Sequence, residues 1–234
     1  LLSDVGYKTA FYGKWHLGDT EPSYAHNQGY DESFFTPYNQ VPSMWVPPAE
    51  VGNVITGLYP ELYGDDKYDI DNSWQPNGYV WTLEGTKGGE TLEWGPPPTV
   101  TNFWDVETEA QRRTLAFINK SVEAKQPFFI AYHPISTGFI PDPRATSKLT
   151  PNKNILAEAL VKIDTFVGEL FAHLDAKGIS DNTLVIVMAD NGPFTHFGPR
   201  GMVETLYTGG KGDFTEGGVR VPAITKWDGV NEPD

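Results

Sequence analysis

No cysteine occurs at any of the 234 positions. A disulfide framework and thiolate metal sites are therefore excluded. The compartment is not assigned by this, because cysteine-free proteins occur everywhere. Basic residues are scarce as well: 17 Lys and Arg stand against 31 Asp and Glu, a formal charge of −14. A general nucleic-acid binder needs a basic face, so that class is disfavoured. An anionic substrate is not, since a few convergent cations outweigh a distant acidic surface. Long apolar runs are missing too, and none reaches the length of a membrane span. No initiator methionine and no signal peptide are visible. The opening Leu1-Leu2-Ser3-Asp4 looks like the tail of a helix entered midway, which predicts a chain continuing upstream. The missing signal then says little about secretion.

Aromatic residues are plentiful. Seven Trp, thirteen Phe and eleven Tyr supply core and pocket material. Apolar residues at 39% and charged residues at 21% fit a soluble globular chain, of a length for one large α/β domain or two small ones. Residues 1–36 read as helix end, strand and loop. Residues 37–104 are rich in Pro, Gly, Trp, Asn and Asp, with little periodicity, and predict a loop-rich insert or pocket wall. Within them, the acidic run Asp65–Asp71 lacks the glycine and terminal glutamate of a calcium loop, and a solvated turn is the better reading. Trp45, Trp74, Trp81 and Trp94 suit either stacking on a ring or a small core of the insert, and the core is preferred.

Regular structure follows. Ala110, Leu115, Ile118 and Val122 recur at near-helical spacing after Asp105, a candidate N-cap. Pro127–Tyr132 is a short apolar run that predicts a buried strand. Thr150-Pro151 opens a second helix, striped by Leu156, Leu160, Ile163, Val167, Leu170, Phe171 and Leu174 and ended by Gly178. Thr183–Ala189 predicts a second buried strand. Strand, helix, strand in this order predicts a right-handed crossover and a mainly parallel sheet.

Three stretches carry candidate chemistry. In GYKTAFYGKWHLGD (6–19), Lys14 and His16 alternate, so an extended backbone would put both on one face, as an anion site or a solvated loop. Asp190 and Asn191, in Ala-Asp-Asn-Gly-Pro at the end of the second strand, offer two oxygen ligands for Ca²⁺ or Mg²⁺, too few for a shell. In GGKGDFTEGGVRVPA (209–223), Lys211 lies among glycines where backbones come close. The spacing is not that of a P-loop.

Together these stretches resemble the type I, formylglycine-dependent sulfatases, of the arylsulfatase kind. The resemblance continues in His26–Glu32 and PFFIAYH, in family order, and is weakest over 37–104. It implies an alkaline-phosphatase-like α/β fold, a mainly parallel mixed sheet flanked by helices, of which 1–234 would be a partial catalytic domain. It implies hydrolysis of a small-molecule or glycan sulfate ester, without nucleic acid or membrane span, in the periplasm or outside the cell. Lys14 and His16 match residues that hold the nucleophile and the sulfate. Lys211 matches the lysine that binds sulfate and assists departure of the alcohol. Asp190 and Asn191 match ligands of a divalent cation, usually calcium. The family nucleophile is a formylglycine made from Cys or Ser, and no Ser stands in an S-x-P-x-R context here, so it is expected upstream. The family histidine after the Phe-Phe strand falls on Gly138. His133 lies too early by this alignment, and His196 is a possible replacement that would bind substrate. A surface or core histidine is the preferred reading of each. A phosphate or phosphonate ester hydrolase on the same fold, or a non-catalytic binder of sulfated glycans, is the alternative.

Overall fold

The structure is a computed structural model, and it describes residues 2–37, 82–95, 103–135, 155–193 and 206–230. The insert expected at 37–104 lies mostly outside the described residues. So do Thr150-Pro151, Gly138 and His196. The chain divides into two compact units, residues 1–163 and 164–234.

The first unit is built on a five-stranded sheet. Its strands are β1 (Lys8–Lys14), β2 (Glu32–Thr36), β3 (Leu83–Thr86), β4 (Leu92–Glu93) and β5 (Phe128–His133). Their spatial order is β4-β3-β2-β1-β5. β1 runs parallel to both β2 and β5, and β3 and β4 extend the sheet antiparallel. β1 is buried from Thr9 to Gly13, which explains why its sequence is nearly continuous in apolar residues rather than alternating. On one face Ala10 and Tyr12 pack with Phe34, Val106, Ala110, Phe117 and Ile135. On the other, Phe11 and Trp15 pack with Ala25, Phe35 and Leu83. Each fully buried ring contributes roughly 1.5–3 kcal/mol by the apolar area it removes from water.

Helix α1 (Phe103–Glu123) packs on β1 and β5. It begins before Asp105, so that residue lies in the first turn, where its charge meets the helix dipole, rather than at the cap. Ala110 and Ile118 are buried as the spacing predicts. Leu115 and Val122 are only half-buried, and Val106, Thr114, Phe117 and Ser121 complete the stripe. The predicted strand after α1 is present as β5, but it is half-buried, with Phe129 exposed. Trp94 closes on Phe34 edge-on at 5.1 Å and packs, half-buried, against the core of this unit rather than in a separate core of the insert, while Trp45, Trp74 and Trp81 lie outside the described residues.

One polar group is sealed into this unit. His26 is buried, with Nδ1 2.8 Å from the Ser33 hydroxyl and Nε2 3.0 Å from that of Thr91. Its ring fills the space above Gly85 of β3, where a Cβ would meet the imidazole at 2.4 Å. Burial pushes the His26 imidazole below its ordinary pKa.

Helix α2 (Ile155–Lys177) runs across the division between the units. Gly178 ends it as expected, with φ +67°. The amides of Gly178 and Ile179 return to the carbonyls of Asp175 and Leu174, the paired bonds of a left-handed helix stop. The second unit continues with β6 (Val185–Met188), the short helix α3 (Glu216–Val219) and β7 (Ala223–Lys226). β6 was expected to be a buried parallel strand. Its pairing among the described residues is antiparallel, with β7, and Ile186 and Met188 are exposed. A short all-apolar run does not encode its partner. Here Ala223–Lys226, returning from the glycine-rich stretch, supplies it.

Candidate functional site

The carboxyl ends of β1, β2 and β5 lie at one edge of the first sheet, the edge where open α/β sheets carry their sites. The chain leaves β1 there through Lys14, Trp15 and His16. Two main-chain bonds prolong the pairing beyond the strand: the Trp15 amide donates to the Thr36 carbonyl at 2.9 Å, and that of His16 to the Pro37 carbonyl at 2.8 Å. Trp15 is buried as an anchor. Its indole N–H donates to the Ser23 carbonyl at 2.9 Å, and its ring meets Phe11 edge-on at 4.8 Å.

His16 has φ +59°, in the left-handed region. The extended alternation expected to bring Lys14 and His16 to one face therefore stops at Trp15. A left-handed residue bends the chain where an extended one would continue it. Lys14 is half-buried and His16 exposed. For a residue other than glycine this conformation costs about 1–2 kcal/mol, and such strain gathers at functional sites.

A third residue joins this edge. His133 ends β5 and pairs in register with Gly13. Gly13 has φ +107°, and a Cβ on it would lie 1.8 Å from the His133 carbonyl oxygen. Only glycine lets the two backbones close this far. The His133 ring meets Phe11 edge-on at 4.8 Å, and its Nδ1 lies 3.1 Å from the Lys14 carbonyl oxygen. Motif alignment passes over His133. Its place as the last residue of a strand parallel to β1 is the signal that finds it.

Glu107 of α1 is also invisible to periodicity, being a charged residue on the buried stripe. It accepts a hydrogen bond from the Tyr132 hydroxyl and another, at 2.6 Å, from the Ile135 amide. Burial first, then the Glu107 charge, raise the Tyr132 pKa well above its ordinary value, so the phenol remains a donor.

The second unit holds the other candidates. Asp190 and Asn191 follow β6, with Asp190 exposed and Asn191 half-buried. The turn they form is seated by main chain. The Gly192 amide donates to the Gly218 carbonyl at 2.9 Å, and a Cβ at Gly192 would meet the Gly217 carbonyl oxygen at 1.8 Å. The Lys211 amide donates to the Pro193 carbonyl at 2.7 Å, so the lysine turn rests directly on the Asp190–Pro193 turn. Asp213 steadies the lysine turn by accepting from the Gly210 amide at 2.9 Å. Arg220, the other cation of this stretch, is held by Glu216 at 3.2 Å and lies over Tyr207.

The Asn191 side-chain amide donates Nδ2 to the Gly192 carbonyl at 2.8 Å. That bond uses the amide nitrogen and leaves the amide oxygen an acceptor in the residue next to Asp190, a pairing of oxygen types that suits a hard cation. Among the described residues, no group of three or more His, Cys, Asp or Glu side chains gathers as a metal shell. The pair amounts to part of one. The structure thus brings Lys14, His16 and His133 to one edge in the first unit, and Asp190, Asn191 and Lys211 to paired turns in the second. His196 lies outside the described residues.

A family model described as Sulfatase matches residues 1–233. The chain is 29% identical to N-acetylgalactosamine-6-sulfatase of Canis lupus familiaris, over 98% of this chain and 39% of that protein. It is 29% identical to arylsulfatase A of Homo sapiens, over 100% of this chain and 42% of that protein. It thus spans about two fifths of the length of these curated relatives. The crystal structure of PsFucS1 sulfatase from Pseudoalteromonas sp. superposes with a TM-score of 0.77 at 31% identity, covering 98% of this chain and 44% of that one. That of Ps i-CgsB in complex with k-i-k-neocarrahexaose gives 0.60 at 25%, covering 97% and 46%. The expected fold is therefore present: an α/β sulfatase-like architecture, with a mixed, mainly parallel sheet flanked by helices. With a family match that runs from residue 1 to residue 233, this chain belongs to the sulfatase family.

Proposed function

We propose that this chain forms part of a hydrolase of sulfate esters, to whose chemistry the first unit contributes Lys14 and His16 and the second Asp190, Asn191 and Lys211. The observation that carries the assignment is the 2.7 Å bond from the Lys211 amide to the Pro193 carbonyl. It fixes an ammonium-bearing turn against a turn that offers a carboxylate and an amide oxygen. Cleaving a sulfate ester builds negative charge on the departing oxygen and keeps charge on the sulfate. Preset cations stabilise that charge without reorganising. By the family resemblance, Lys14 and Lys211 are each assigned to binding sulfate by charge, and Lys211 also to assisting departure of the alcohol. His16, bent out of the strand line, orients the nucleophile. Asp190 and Asn191 would hold a divalent cation, Ca²⁺ or Mg²⁺, and a bound cation supplies further positive charge at the sulfate. The nucleophile is a formylglycine contributed by sequence outside these 234 residues. The absence of cysteine, and of any serine in the family's pattern, supports that placement. The sugar-directed names of the relatives support a glycan sulfate as the natural substrate.

The test is turnover of 4-nitrophenyl sulfate by the protein carrying the nucleophile segment. Lys211→Ala is expected to lower kcat by about 10²–10³, the loss typical of one preorganised oxyanion donor. The 234 residues alone are expected to be inert. A protein that cleaves phosphate esters faster than sulfate esters would replace this assignment with a phosphate ester hydrolase. One that binds sulfated glycan without turnover would replace it with a non-catalytic binder.

A further inference from the structure

Asparagine is thermolabile, above all ahead of a glycine. The nitrogen of the following residue can attack the side-chain carbonyl, and a glycine has no Cβ to hinder that approach. Asn-Gly occurs twice in the sequence, at 77–78, outside the described residues, and at 191–192. The second pair lies in the turn after β6, with Asn191 half-buried and Gly192 buried. Three restraints act on it there. The Gly192 nitrogen would be the nucleophile, and its hydrogen is committed to the Gly218 carbonyl at 2.9 Å. The space of the missing Cβ is already filled, since a Cβ on Gly192 would meet the Gly217 carbonyl oxygen at 1.8 Å and the Gly218 Cα at 3.0 Å. Neighbouring main chain thus restores the crowding that a glycine normally relieves. Asn191 Nδ2, the nitrogen that would leave, is held on the Gly192 carbonyl at 2.8 Å. The seat is itself anchored: the Gly217 amide donates to the Thr208 carbonyl and the Gly218 amide to that of Thr215, each at 2.9 Å. Reaction therefore needs the turn to lift off its seat, which is a local opening.

We propose that Asn191 is a deamidation site gated by the seat of Gly192 on Gly217 and Gly218, so that the Asp190–Asn191 turn ages only when that seat opens. In the open turn the Gly192 nitrogen gives its hydrogen to solvent and bonds to the side-chain carbonyl carbon of Asn191. The bond from that carbon to Nδ2 breaks, and Nδ2 takes up a proton and departs as ammonia. The cyclic imide that remains is opened by one water. Opening at the side-chain carbonyl leaves aspartate. Opening at the main-chain carbonyl leaves isoaspartate, in which the chain runs through the former side chain. The sum is hydrolysis of one amide, with no change of oxidation state. Either product carries a negative charge next in sequence to Asp190. Isoaspartate also lengthens the main chain by one carbon ahead of Gly192, which is packed too tightly against Gly217 to absorb it. None of this rests on the sulfate ester assignment.

The experiment incubates the protein carrying the nucleophile segment in neutral buffer, native and in guanidinium chloride. A chelator is present, so that no bound cation restrains Asn191. Peptide mapping by mass spectrometry follows deamidation at Asn191, and the peptide holding Asn77 reports the same chemistry in the same samples. Incubation continues until Asn77 has converted in the denaturant. Exchange of the Gly192 amide hydrogen, which requires the same bond to Gly218 to break, is measured on the native protein. Asn191 is expected to convert in the denaturant and to slow at least about tenfold in the native protein. That slowing should match the protection of the Gly192 amide from exchange to within about threefold, since one opening governs both. Native conversion at the denatured rate, a slowing unrelated to the protection of Gly192, or an Asn191 that stays intact in denaturant would each overturn the proposal.

Discussion

Replacing Glu107 tests the frame that holds the carboxyl edge of β5. Two variants separate charge from shape. Glu107→Leu removes both acceptors. It leaves the Ile135 amide, in a residue only 1% exposed, and the Tyr132 hydroxyl without the carboxylate that receives them. Each orphaned buried donor costs about 1–3 kcal/mol. Removing a buried charge gives part of that back, since its desolvation is itself several kcal/mol. The expected net loss is about 2–4 kcal/mol, within the range of broken buried networks. Glu107→Gln keeps an oxygen for the Ile135 amide and offers its NH₂ to the Tyr132 oxygen, so its loss is expected near 1 kcal/mol. Urea unfolding followed by tryptophan fluorescence reads the difference, since Trp15 and Trp94 both pack in this unit. A loss of 2–4 kcal/mol lowers the midpoint by roughly 1–2 M at common urea slopes. Hydrogen exchange at the Ile135 amide should quicken in the leucine variant more than in the glutamine variant. Equal losses in the two variants, or an unchanged Ile135 amide in the leucine variant, would refute the bonding role given to Glu107.

Two further outcomes follow from geometry already described. Gly13→Ala forces a Cβ against the His133 carbonyl at a positive φ, so it should destabilise by more than about 3 kcal/mol; a melting temperature equal to wild type would contradict the close approach of β1 and β5. Because burial lowers the His26 pKa, the native state binds fewer protons there than the unfolded state, so stability is present above the unfolded value of about 6.5 and is lost as pH falls below it. A His26→Gln variant should show a shallower fall in unfolding free energy between about pH 7 and pH 5, and an identical slope would sink the assignment.

Much of this was legible in the sequence where chemistry and element boundaries coincide. Gly178 stops α2 because a left-handed position needs no Cβ, and a glycine announces that by itself. The run from Thr9 to Tyr12 reads as a strand, and the structure adds only that both its faces are covered. The Lys211 turn and the Asp190–Asn191 turn were each visible, but the bond that joins them links backbones 18 positions apart and leaves no side-chain trace. His16 shows a different limit. Alternation assumes an extended chain, and one left-handed residue voids it without changing a letter. Glu107 and His133 were hidden for opposite reasons. A charged residue contradicts an apolar stripe, and a motif alignment discounts a histidine that stands five positions from where the family has one. The partner of β6 was unreadable because four apolar residues in a row fit a parallel and an antiparallel neighbour alike.

The turns bearing Asp190, Asn191 and Lys211 are joined through amides, carbonyls and bare glycine Cα atoms. The Gly192–Gly218 and Lys211–Pro193 bonds run from amide to carbonyl and so do not depend on the identity of those side chains. The scaffold is thus indifferent to what those side chains are, so long as the glycines stay. Descendants of this chain can exchange the carboxylate, the amide or the ammonium for other groups and inherit the same placement. In lineages that drift, the glycines at 192, 217 and 218 should outlast the chemistry they present.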